Sequence, residues 1–292
     1  MKKTAVDLLP PATLLAVIGF WYVAPQAWVA HWATMTGVLV AVTAFVLGME
    51  FLFERHAGWR MNAREFFTDV FYMVLNATVI SKVSSLLADE PLMAAKHAWG
   101  IATPWLAHAP FLVQAMFVVF LIEFGQYWMH RLMHNSTPFW LTHAPHHHIT
   151  QLNAMKGAVG NPIELFLISL SLVALFDVDP RALLCAFSCT LVISTYAHAN
   201  VKADPPLFYS YIFTTIRHHS LHHSVPYEDT RCNYGNSVIL FDRIFGTYKE
   251  GEASVVGQDE RRRLTIREQF LFPFQPVIKW YKERQANSGT LA

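Results

Sequence analysis

FLVQAMFVVFLIEFGQYWMHRLMH (residues 111–134) joins a membrane signal to a metal signal. From Phe111 to Met129 the only charged residue is Glu123, and a helix needs about 20 mostly apolar residues to cross a bilayer. The run continues without a break into His130 and His134. Positions i and i+4 share one face of a helix, so both imidazoles reach the same point. Neutral imidazole is the commonest protein ligand for transition metals. The stretch therefore predicts a membrane helix whose end carries part of a metal site.

Working outward, the histidines keep to the same neighbourhood. Eleven of the fifteen lie between His130 and His223, in HRLMH (130–134), HAPHHH (143–148), AHAN (197–200) and RHHSLHH (217–223). His143, His146 and His147 form an HxxHH pattern, repeated as His219, His222 and His223. Spacings of three and four set such residues on one helical face, and His148 points away from it. Zinc takes about four ligands, so these imidazoles exceed what one ion needs and point to two ions with open positions. His198 and His218 are further candidate ligands, one ending an apolar run and the other adjoining the second HxxHH. Glu123 and Tyr127 extend the His130 face backwards at helical spacing. A carboxylate in an apolar helix is costly and faces the protein interior. Glu123 is either an outer partner fixing an imidazole tautomer or one half of a structural pair with Lys or Arg.

The rest of the chain supplies a membrane frame. It has 292 residues, of which 15% are charged and 53% hydrophobic, with a net charge of +1. That balance indicates a membrane protein and gives no sign of a nucleic-acid partner. Apolar runs at 12–30, 36–53, 66–87 and 111–129 predict four long transmembrane helices. Shorter runs at 162–176 and 181–196 predict a hairpin around Asp177–Pro180. The fold class is all-α, a polytopic bundle capped by a His-rich helical region. Three parts are expected: N-terminal helices over 1–110, a catalytic core over 111–250 and a tail over 251–292. Lys2 and Lys3 precede the first helix, Arg55, Arg60 and Arg64 follow the second, and the loop between these helices has no Lys or Arg. This places the N-terminus, and with it every clustered histidine, on the cytoplasmic face. Cys185 and Cys189 read as small core residues, and His31, His56, His97 and His108 as interfacial polar residues. Phe117, Phe120, Phe124 and Met129 are candidates for lining a lipid slot, although ordinary core packing suits each better. Phe270–Phe274 and Trp280–Tyr281 suit either an interfacial aromatic belt or packing within the cap. Arg261–Arg263 suit headgroup contact or the docking of an acidic carrier.

The order HRLMH, HAPHH, AHAN, RHHSLHH resembles the fatty acid hydroxylase / sterol desaturase superfamily. Asn233-Tyr-Gly235 and Phe241-Asp-Arg-Ile-Phe-Gly-Thr-Tyr248 are similar to its NYG and WDRxFGTY signatures, with Phe241 in place of Trp. The resemblance covers about 115–250. It implies an integral membrane enzyme holding two iron ions, with zinc as a substitute in purified material, that uses O2 and two electrons to hydroxylate a membrane lipid. Its ligands would be His130, His134, His143, His146, His147, His219, His222 and His223, with His198 and His218 added. Glu123, Tyr127 and Asp242 are the candidate catalytic residues. Asp242 is read either as an ion pair with Arg243 or as a group orienting the ligands, and Gly235 and Gly246 as turn residues. No Gly-rich dinucleotide fingerprint is present, so electrons would come from a separate reductase or carrier protein. Desaturation, or oxidation of an ether, aldehyde or carotenoid, would use the same metal site. A His-rich metal transporter is the rival of another class.

Overall fold

The structure, a computed structural model, describes residues 5–281; Lys2 and Lys3, used above for orientation, lie outside them. It is helical, with only isolated β-bridges among the described residues. Five helical runs are long and apolar enough to cross a membrane: Ala5–Val23, Trp32–Leu52, Ala63–Ala98, Phe111–Asn135 and Pro180–His198. We label the helices α1 (Leu9–Val23), α2 (Trp32–Leu52), α3 (63–98), α4 (Phe111–Asn135), α5 (Thr137–His147), α6 (Pro162–Ser169), α7 (Pro180–His198), α8 (Ile216–His222), α9 (Leu240–Phe245) and α10 (Ile266–Leu271).

Local chemistry sets the boundaries. Pro25 stops α1 short of the expected Ala30, since proline disfavours helical geometry in the residue before it. The α2 N-terminus is capped by the ring of His31, which accepts from the Ala33 N–H at 3.2 Å. Asp69 and Asn76 do not break α3. Asp69 is fully buried, and the Asn76 side chain donates to the carbonyls of Tyr72 and Ala158. Instead, α3 widens into π-helical turns at Asn76–Ile80 and Ser85–Asp89 and continues to Ala98. A capping box of Asn161 and Glu164 starts α6, and Asp179 caps α7. The expected hairpin is therefore unequal. Its first arm is short, whereas α7 has 19 residues and is the most enclosed of the five runs.

The hub of the bundle is α7, which packs against α1, α2, α4 and α8. It carries Ala182, Cys185, Ala186, Cys189, Val192 and Ile193 into the main apolar core, and Cys185 and Cys189 are free thiols there. At its far end His198 is delivered to the same level as the end of α4. None of Phe117, Phe120 and Phe124 lines a cavity beneath the histidines. Phe117 packs on Trp105 and Phe176, Phe120 on Phe241, and Phe124 on Trp128 and Phe241. The 251–272 stretch closes over the HxxHH helices: the Gly257 N–H donates to the His223 carbonyl, and Gln258 to those of Ser224 and Val225. The basic run braces this cap and is not a free patch. Arg261 donates to Val256 and Thr150 carbonyls, Arg262 pairs with Glu268 at 2.7 Å, and Arg263 pairs with Glu65 at 2.7 Å. The aromatic tail divides, with Phe272 buried against His148 while Phe274, Trp280 and Tyr281 are exposed.

Candidate metal centre

Nine buried imidazoles collect into two adjoining groups, each with its ligand nitrogens within 4.8 Å of one another. The first holds His130, His134, His143, His147 and His222; the second holds His146, His198, His219 and His223. The helices account for the pairs. His130/His134 on α4, His143/His147 on α5 and His219/His223 at the end of α8 are each one helical turn apart. His146 lies on a neighbouring face of α5 and so reaches the second group while its neighbours serve the first. His222 makes the reverse crossing from α8.

The hydrogen bonds fix the tautomers. Nδ1 of His130 donates to the Tyr234 carbonyl at 2.7 Å, that of His146 to Val159 at 2.7 Å, that of His198 to Ser194 at 2.8 Å and that of His222 to Cys232 at 2.7 Å. Nδ1 of His143 donates to the Glu164 carboxylate at 2.6 Å. In each neutral ring the proton is thus committed to Nδ1, and Nε2 keeps a bare lone pair. Those lone pairs face each other: His130 Nε2 lies 2.9 Å from His143 Nε2 and 3.0 Å from His222 Nε2. In the second group His198 Nε2 lies 2.9 Å from His219 Nε2, which is 3.1 Å from His223 Nε2. His130 and His222 both have Nδ1 committed to a carbonyl, so their bare Nε2 atoms, 3.0 Å apart, repel unless a cation sits between them. The donor set of imidazoles therefore fits one transition-metal ion in each group. Buried His134 Nε2 and the Nδ1 atoms of His147, His219 and His223 have no hydrogen-bond partner among the described residues.

Burial keeps these rings in the neutral form that a metal requires. It pushes His143 down to about 3, and, with neighbouring imidazoles adding to it, holds His147, His219, His222 and His223 well below the usual histidine value. The unfolded chain binds these protons at an ordinary pKa of 6.5, whereas the folded chain resists them to lower pH. The metal-free protein should accordingly lose stability as pH falls from about 6.5 toward 3. Chemical denaturation across that range checks the slope, and an unfolding midpoint independent of pH would contradict it.

The remaining predicted residues act at one remove or not at all. His218 stands outside both groups; its ring meets Thr215 Oγ1 at 3.2 Å and the Tyr248 hydroxyl at 3.3 Å, because α8 turns it one position off the ligand face. Glu123 bonds neither an imidazole nor a cation: its Oε2 accepts from the backbone N–H of Ser237 at 2.8 Å and Val238 at 3.2 Å. Asp242 makes no ion pair with Arg243, whose guanidinium lies 3.6 Å from the centre of the Tyr248 ring. Its Oδ1 takes the N–H of Tyr234 and its Oδ2 that of Gly235, both at 2.8 Å, which fixes the loop whose Tyr234 carbonyl orients His130. Tyr127 shares the same brace through Thr247 Oγ1 at 2.9 Å, and neither Asp242 nor Tyr127 bonds one of the nine imidazoles. Gly246 has φ +72°, as a helix C-terminal turn requires. Gly235 serves space instead, for a Cβ there would sit 2.4 Å from the Val238 carbonyl oxygen, and the left-handed residue of that loop is Asn233.

Sequence reasoning passed over Glu164. Its signal, Asn161-Pro-Ile-Glu164, reads as a helix cap, and it is one; the same carboxyl group also holds His143. Replacing Glu164 with Gln should weaken metal retention by about 10–100-fold while leaving all nine imidazoles in place. Competition with a chelator measures this, and an unchanged affinity would show that the contact does not tune His143.

Residues 115–247 match the family model described as fatty acid hydroxylase. The chain is 26% identical over 254 residues to ornithine lipid hydroxylase OlsE of Rhizobium tropici, covering 83% of this chain and 75% of that one. It is 27% identical over 157 residues to alkylglycerol monooxygenase of Homo sapiens, covering 53% of this chain and 33% of the relative. With the Danio rerio alkylglycerol monooxygenase the identity is 25% over 226 residues, 73% of this chain and 48% of the relative. The chain thus spans three quarters of the first relative but half or less of these monooxygenases. No solved structure matches it. The matched segment runs from α4 through the second HxxHH to the turn after α9 and so contains the whole double histidine centre: residues 115–247 are the fatty acid hydroxylase-like part of the chain, and its similarity to hydroxylases and monooxygenases marks the chain as an oxidoreductase.

Proposed function

We propose that this integral membrane protein hydroxylates a C–H bond of a membrane lipid, with one iron ion in each histidine group. The reading rests above all on the two groups of buried imidazoles whose ring nitrogens converge within 4.8 Å. With both irons bound, O2 and two electrons from a separate carrier would provide one oxygen atom for the lipid and one for water. The protein's own part is positional. Backbone carbonyls of Tyr234, Val159, Ser194 and Cys232 hold the imidazole rings in one tautomer, and Glu164 strengthens His143 as a donor. Burial of all nine rings keeps bulk water from the centre. The placement of Arg55, Arg60 and Arg64 supports a cytoplasmic location for the centre, where a water-borne electron carrier meets a membrane-borne substrate.

Anaerobic reconstitution should load about two irons per chain, because each group offers a complete imidazole set. A single tightly held ion would sink the binuclear reading. Lipids from cells with and without the gene should differ by the mass of one oxygen atom; a loss of two hydrogens would instead identify a desaturase.

A further inference from the structure

A cavity of about 340 Å³ lies beside the second histidine group, walled by α2, α3, α4, α6, α7 and the 154–158 loop. Gly157 and Ser194 are in its wall and both touch His198: Ser194 accepts its Nδ1–H, and a Cβ on Gly157 would come within 3.2 Å of its ring. The lining mixes polar groups with apolar ones. Nine of its nineteen residues carry hydrogen-bonding side chains, among them Thr43, Glu123, Gln126, Thr195 and Asn236. Thr43 and Thr195 stand in this wall and are 6% and 5% exposed. Polar side chains at a cavity wall favour a guest that can hydrogen-bond with them. No Lys or Arg lines the space and the only charged residue type is Glu123, which disfavours a phosphate or carboxylate and favours a guest that donates. The volume is at the lower end of the roughly 300–1,000 Å³ usual for ligand sites and suits a short segment, not a whole chain. By contrast, the groove of about 1050 Å³ between α1 and α2, lined by residues such as Val17, Phe20, Val38 and Phe45, is almost wholly apolar.

We propose that this cavity binds an uncharged, hydrogen-bond-donating segment of the lipid, a hydroxyl or amide N–H close to the alkyl chain, and thereby presents a carbon near that group to the His146/His198/His219/His223 side of the centre. This deepens the lipid hydroxylase reading and rests on it. Thr43, Thr195 and Glu123 are then specificity determinants, selecting polar-linked lipids over plain hydrocarbon and over free fatty acids.

The test uses the full chain in nanodiscs with zinc in place of iron, so that binding is read without turnover. N-(2-hydroxyethyl)dodecanamide should bind at least tenfold more tightly than dodecane or dodecanoate. The Thr43→Val/Thr195→Val double variant should fold with an unfolding midpoint close to the parent's, because Val keeps the branched shape of Thr. It should lose about tenfold in affinity for the amide while its affinity for dodecane stays the same. Equal binding of all three probes, or a double variant that keeps the parent's preference, would overturn the proposal. The two readings fail separately. Discrimination by the zinc form with no lipid oxidised by the iron form would remove the hydroxylase reading alone, whereas efficient oxidation with equal affinity for all three probes would remove only the polar-segment assignment.

Discussion

His222→Ala should lower lipid hydroxylation by a thousandfold or more, an estimate that follows from losing several kcal/mol of metal-supplied stabilisation. His222 reaches from α8 across to the first group, with its Nε2 3.0 Å from His130 Nε2 and its Nδ1 held by the Cys232 carbonyl. The substitution removes the one α8 ligand of the first group, which otherwise comes from α4 and α5. Metal analysis should show the first group depleted while the second, which lacks His222, still binds. Membrane insertion should be unaffected, since the apolar runs are untouched. Persistence of near-normal turnover would mean that the first group is not part of the reacting centre.

Lys156→Met should destabilise the fold by about 3–5 kcal/mol, the usual cost of stranding a buried charge. Lys156 is 2% exposed and its ammonium is enclosed by Asp69 at 2.6 Å and by Glu65, while Asp69 also accepts from Asn153 at 2.8 Å. Removing the cation leaves two buried carboxylates, only one of which, Glu65, retains a cation, through Arg263. The damage should reach the metal centre, because Lys156 opens the 156–159 turn whose Val159 carbonyl orients His146. Denaturant unfolding in detergent measures the loss. The triple variant Lys156→Met/Glu65→Gln/Asp69→Asn should recover much of it by removing the stranded charges. A single variant as stable as the parent would show that the cluster is not enclosed as described.

That cluster marks the boundary between what is local and what is not. Asp69, Asn76 and Lys82 interrupt the apolar run of α3, and a linear pattern counts a polar residue against a membrane helix whichever way it faces. In the folded chain Asp69 and Asn76 turn inward to partners at Lys156 and Ala158, more than eighty positions away. Glu123 and Asp242 show the same effect in the centre itself. The inward facing of Glu123 was readable from its apolar helix, but the partners of both are backbone amides of a loop, and amides leave no trace in residue type.

The sequence by itself determined the elements and the chemistry. Long apolar runs have only one way to satisfy their backbone in lipid, so they specify helices. One-turn spacing pairs His130 with His134, His143 with His147 and His219 with His223 through geometry internal to each helix. Only the tertiary structure decided how the imidazoles are shared. HxxHH looks like one ligand unit, yet His146 leaves His143 and His147 for the second group, and His222 leaves His219 and His223 for the first. The reason is the angle of 100° between successive helical residues: α5 and α8 each show two faces, and which metal each face meets depends on how α4 and α7 pack against them. The same packing set His218 aside and brought Glu164 to His143. The membrane helix that ends in HRLMH was legible from its own residues, whereas the two-part centre at its end comes into being only where four helices converge.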